Sequence, residues 1–247
     1  MKRLQWNQLV GAWLVVIACA DLQARDLPKG DGPANSTTRN VHEEAMRILN
    51  SIQLTEYRHD TDIDEKKGAY YCDCSGFVGY VLGRTVAKED GKGPFHDGRK
   101  RPLAMDYEKG FAKAPEKPNG TGGWQQIVRV ADARPGDVIA WRHEVPKPGN
   151  TGHVVIVDQA PVVEKDGLVR VAIIDSTTLP SSDLAGKGKS GIGRRTMWFT
   201  VDQDGRPVGS VRGSRTAKPK VEAISIGRAL PASEAATGKR TAGRRAA

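Results

Sequence analysis

The chain has 247 residues, of which 38% are apolar and 27% charged, and its 38 Lys and Arg against 29 Asp and Glu give a formal net charge of +9. That length can bury one sizeable core, and its 3 cysteines are too few for a disulfide-framed domain. The excess charge is local: from Arg212 onward nine basic residues face two acidic ones, a net of plus seven, while the remainder is nearly neutral. No motif for reading RNA or DNA accompanies it, so no nucleic-acid partner is expected.

In chain order, Lys2 and Arg3 precede an apolar stretch from Leu9 to Ala20 that is too short to span a bilayer and reads as a secretory signal over residues 1–20. Two processing schemes fit. Ala18-Cys19-Ala20 suits small-residue cleavage before Asp21, whereas Val16-Ile17-Ala18-Cys19 suits a lipobox that would lipidate Cys19 and put the chain on a membrane. Residues 21–39, rich in Pro, Gly, Ser and Thr, read as a linker to a domain over 40–230. Asn40 is the expected cap of a helix starting at Val41, with an apolar stripe of Val41, Ala45, Ile48, Leu49 and Ile52.

The stretch from Tyr71 to Leu82, YCDCSGFVGYVL, places Cys74 at the mouth of a helix anchored by Phe77, Val78, Val81 and Leu82. Unpaired N–H groups and the partial positive charge of a helix N-terminus favour a thiolate there. Gly76 and Gly79 let another group approach the first turns. Cys72 completes a C-x-C pair. A structural zinc site wants four ligands, and a bridge between residues two apart is strained, so neither a metal nor a disulfide is expected. Cys72 reads as a packed thiol or as an oxidisable neighbour of Cys74.

Residues 87–123 form a Gly/Lys/Pro-rich insertion with a short helix near Leu103 to Phe111, and Trp124 marks return to the core. After the turn Arg134-Pro135-Gly136-Asp137 come short, turn-bounded strands: Val138–Trp141, Val154–Val157, Leu168–Ile174, Thr196–Val201, Val208–Val211 and Val221–Ile226. Asp204-Gly205 marks a hairpin. The expected architecture is α+β, with the cysteine helix packed on an antiparallel sheet of about five or six strands. Residues 231–247 lack apolar periodicity and read as a disordered basic tail. Such a tail fits anionic envelope polymers, or is simply solvated.

A nucleophilic cysteine needs a base. Of His42, His59, His96, His143 and His153, only His153 opens a buried-strand pattern. Asp175, closing the next apolar strand, can accept from the ring, although Ser176 or a backbone group competes for that role because Asp-Ser-Thr-Thr also reads as a turn. The Cys74 backbone N–H would serve an oxyanion hole, with Tyr70 or Tyr71 as a guess for the second donor.

These segments in this order, DCSGFV at 73–78, ARPGDVIAW at 133–141 and TGHVVIV at 151–157, resemble the NlpC-type papain-like cysteine peptidases and their amidase and CHAP relatives. The resemblance covers roughly residues 41–230. It implies Cys74 as nucleophile, His153 as base and Asp175 as the orienting group, with Asp73 and Ser75 touching the substrate and Tyr71 beside them. The third position is more often His, Asn or Gln in that family, and the insertion after the cysteine helix is long. The implied activity is hydrolysis of an amide bond in peptidoglycan stem peptides by an exported, monomeric enzyme that needs no cofactor. Rival expectations on the same fold are a catalytically silent wall-binding protein, an interbacterial amidase toxin and an acyltransferase.

Overall fold

The computed structural model describes residues 30–86, 95, 101–117, 123–147, 150–181, 184 and 188–231. The segment read as a signal, with Cys19, together with His96, about half of the insertion and the basic tail beyond 231, lies outside the described residues. Those described form a mixed α+β fold with three α-helices and a large antiparallel sheet. No helix among them is long and apolar enough to cross a membrane.

Helix α1, Ser36–Ser51, starts earlier than the Asn40 cap predicts. Asn35 is the cap: its side chain accepts from Thr38 N at 2.8 Å while Thr38 Oγ1 accepts from Asn35 N at 3.1 Å. Asn35 Nδ2 also donates to the Ala229 carbonyl at 3.0 Å, tying the helix start to the end of the sheet. Val41, Ala45, Ile48, Leu49 and Ile52 are buried as the stripe requires.

Strands β1 (Leu54–Glu56), β2 (Asp62–Asp64) and β3 (Ala69–Tyr71) make a small sheet in the order β1-β3-β2, and β3 delivers the chain to helix α2, Cys74–Thr85. Helix α3, Ala104–Lys113, lies close to the expected position. Strand β4, Trp124–Ile127, follows and buries Trp124.

The remaining strands are β5 (Val138–Lys147), β6 (Asn150–Val157), β7 (Val162–Val163), β8 (Val169–Thr177), β9 (Gly191–Val201), β10 (Pro207–Val211), β11 (Lys220–Val221) and β12 (Ala223–Ala229). With β4 they form a 9-stranded sheet among the described residues, ordered β11-β10-β9-β8-β6-β5-β12-β4 with β7 paired to β8, larger than the five or six strands expected. The Asp204-Gly205 hairpin joins β9 and β10, with Gly205 at φ 80°.

Alternation along the strands gives the sheet two buried faces. Val138, Ala140, Val154, Ile156 and Ile174 pack with the three helices. Ile139, Trp141, Val155, Val157, Ile173 and Met197 form a second core on the other face. The strand ends converge around Glu222, which accepts from Ser210 Oγ at 2.9 Å and from Arg212 at 3.1 Å, while the Arg212 guanidinium sits 5.0 Å from the Trp141 ring centre.

The turn before β5 has its own logic. Asp137 Oδ2 accepts from Arg134 N at 2.8 Å, and the fully buried carboxylate is clamped by Arg228, with contacts of 2.9 and 2.8 Å. Gly136 has φ 86°, and a Cβ there would overlap the Thr38 carbonyl oxygen, so the turn can press against α1 only as glycine.

Candidate active site

The ladder between β6 and β8 is confined to Ile156↔Ile174 and Val157↔Ile173, whereas β8 pairs with β9 along its whole length from Val169 to Thr177. Toward the start of β6 the sheet therefore opens, and His153 and Asp175 bridge the opening through a 2.7 Å hydrogen bond between Nε2 and Oδ2. By strand alternation both belong to the second face, while Cys74 belongs to the helix-side core. The gap lets a sulfur from one side meet an imidazole from the other.

Gly152 prepares this geometry. It has φ 150°, opposes Arg142 in the ladder, and leaves no room for a Cβ against the Trp141 carbonyl. His153 then opposes Trp141, whose ring centre lies 5.1 Å away. With Nε2 engaged by Asp175, Nδ1 is the nitrogen left to face Cys74, whose sulfur acts on the ring electrostatically. Burial disfavours charge on His153, but the Cys74 sulfur and then Asp175 outweigh it and raise the imidazolium pKa to about 10.

Cys74 opens α2 and is 5% exposed. Asp73 caps the helix, its Oδ1 accepting from Gly76 N at 2.7 Å and from Ser75 Oγ at 3.1 Å. Its Oδ2 takes Arg101 Nη2 at 2.6 Å, and Arg101 also donates to Ser75 Oγ. Asp73 and Ser75, expected to touch a substrate, are thus buried in a cap network beside the sulfur, and His59 is the more exposed member, with Nδ1 3.6 Å from Asp73 Oδ2. The close approach allowed by Gly76 is made by the Thr61 side chain.

Tyr71 lies outside this cluster. Its ring is covered by the Arg58 guanidinium at 4.3 Å, and it lines a groove of about 390 Å³ with Thr55, Arg58 and Lys189. Tyr70, the other guess for an oxyanion donor, is buried with its hydroxyl 2.9 Å from Ser51 Oγ, away from the sulfur. Tyr57 was not singled out by sequence. Burial, then Cys74 and Asp73, raise its phenol pKa and keep it a neutral donor beside the thiol. Its residue type alone carries no signal, because it follows a three-residue polar strand.

The hydroxyl of Ser176, the alternative to Asp175, is engaged elsewhere. Its Oγ donates to the Cys72 carbonyl at 2.6 Å. Cys72 itself is fully buried, and desolvation pushes its thiol pKa up to about 12, so packing describes it better than redox exposure does. Cys72 and Cys74 are free thiols, and among the described residues no three His, Cys, Asp or Glu side chains converge as metal ligands.

Sequence reasoning also missed Arg195. Its Nη1 lies 2.5 Å from Asp175 Oδ1, the oxygen that His153 leaves free. A pocket of about 370 Å³ opens beside His153 and Asp175, walled by Leu179, Met197, Trp198 and Arg212; Cys74 does not line it. Searches against protein-family models, curated proteins and solved structures find no match to this chain.

Proposed function

We propose that the chain is an exported cysteine hydrolase with a papain-like NlpC-type core, cleaving an amide bond in peptidoglycan stem peptides. The observation that carries this reading is the convergence of three elements on one line of charge. Cys74 at the start of α2 meets His153 on β6, and His153 meets Asp175 on β8 at 2.7 Å. Cys74 and His153 fall in two of the three segments that resemble that family, in the same order along the chain, and Asp175 follows on the next strand.

In the proposed reaction the Cys74 thiolate attacks the amide carbonyl while the imidazolium of His153 holds the proton. Collapse of the tetrahedral intermediate breaks the C–N bond as His153 passes that proton to the leaving amine, leaving a thioester. His153, now neutral, takes a proton from water, whose oxygen attacks the thioester and frees the acid and the thiolate. The Cys74 N–H at the helix end and the Tyr57 hydroxyl are the donors proposed for the oxyanion. Asp175 keeps the imidazole aligned throughout.

The test is digestion of purified peptidoglycan by the mature chain, by Cys74→Ser and by His153→Ala, read by mass spectrometry of the soluble peptides. New fragments from the parent alone support the reading and name the bond. Equal fragments from either variant would overturn it.

A further inference from the structure

Asp175 is held from both sides. His153 Nε2 engages Oδ2 at 2.7 Å and Arg195 Nη1 engages Oδ1 at 2.5 Å. The Arg195 side chain is only 10% exposed, and its guanidinium is fixed by the carbonyls of Leu179 at 2.7 Å, Gly193 at 3.2 Å and Gly191 at 3.3 Å. A buried guanidinium carries a desolvation cost that an apolar residue on β9 would avoid; here both Nη groups are engaged, while the buried Nε has no hydrogen-bond partner among the described residues.

We propose that Arg195 is a positioning residue for the Cys74 nucleophile, locking the Asp175 carboxylate against His153 and closing the charge balance of the site. This rests on Cys74 being the nucleophile. Thiolate, imidazolium, carboxylate and guanidinium sum to zero. Without the guanidinium the same groups carry one net negative charge, and Asp175 loses the partner that fixes its second oxygen and its aim at His153, which weakens the thiolate–imidazolium pair.

Other ionisable groups face the pair. Tyr57 and Asp73 act on it from the β1 and α2 sides, Tyr107 from α3, and Arg101 bridges to Asp73. His59 lies beyond Asp73, Cys72 precedes it as a neutral thiol, and Arg212 sits over Trp141 behind the imidazole. All remain in place when only Arg195 is changed, so a difference between variants reports the guanidinium.

The experiment is the rate of Cys74 alkylation by iodoacetamide against pH, with the modified peptide identified by mass spectrometry, for the parent, R195K and R195Q, alongside their melting temperatures. The parent is expected to alkylate in mild acid faster than an unstructured cysteine peptide. R195Q should slow that reaction roughly tenfold, while R195K keeps the charge and recovers most of the rate. A rate unchanged in folded R195Q, or lowered equally in R195K and R195Q, overturns the proposal. A parent that alkylates no more readily than a free thiol defeats the nucleophile reading itself, a failure visible without any variant.

Discussion

Ser176 Oγ donates to the Cys72 carbonyl at 2.6 Å, so the strand that presents Asp175 to His153 also fastens the segment that leads Cys74 into its helix. Neighbouring residues of β8 thereby hold both halves of the site, one through the base and one through the backbone ahead of the nucleophile. The Cys72 carbonyl keeps a second donor, Arg58 N at 3.3 Å. Ser176→Ala should therefore cost about 1 kcal/mol of stability rather than the full penalty of an orphaned group. It should also slow Cys74 alkylation. Denaturant unfolding and alkylation rates check both, and unchanged alkylation would show that the tether does not position the sulfur.

Cys74→Ala should lower the pKa of His153. Burial is the largest influence on that ring and disfavours its charge, and Cys74 is the largest influence opposing it. With the sulfur gone, burial regains ground against Asp175 alone. NMR titration of the His153 ring in parent and variant measures this, and an equal or higher value in the variant would contradict the assigned pairing.

Stability should fall on the alkaline side. The folded His153 pKa, about 10, lies above the unfolded value of about 6.5. The folded chain therefore keeps a proton that the unfolded chain releases, and its contribution is whole below about pH 6.5 and lost as pH rises through about 10. Denaturant midpoints across that window should decline in the parent and decline less in Cys74→Ala.

Arg228→Ala should be among the most damaging changes far from the site. It strips both charged contacts from Asp137, which is fully buried. Burial already raises the Asp137 pKa against the pull of Arg228. Breaking a buried pair from one side costs about 3–5 kcal/mol. Equilibrium unfolding measures the loss, and pairing the change with Asp137→Asn should recover part of it.

The helix bearing Cys74, the short helix at residues 104–113 and the apolar run Val154–Val157 after His153 were legible because apolar spacing and turn residues are local signals, although the strand itself begins earlier, at Asn150. The start of α1 was misplaced because Asn40 also reads as a cap, whereas Asn35 with Thr38 makes the capping box five residues earlier and a bond from Asn35 to Ala229 ties it to the sheet. Strands β1 to β3 went unseen, since Leu-Thr-Glu and Asp-Ile-Asp carry no alternation strong enough to mark them. Arg195 was hidden for a related reason. The charges of Arg194 and Arg195 mask the first half of β9, which begins at Gly191 rather than Thr196, and Asp175 likewise reads as a turn although it is mid-ladder opposite Gly193. Ion pairs that cross between strands are tertiary facts, and hydrophobic periodicity cannot reveal them.

The most direct test of the central claim is to digest purified peptidoglycan in water enriched in heavy oxygen and to read the released peptides by mass spectrometry. Attack by Cys74 followed by hydrolysis predicts fragments whose new carboxyl group carries one solvent oxygen, absent when Cys74→Ser replaces the parent. Fragments that form equally with Cys74→Ser, or no fragments from a parent protein whose Cys74 alkylates readily in mild acid, would contradict the account.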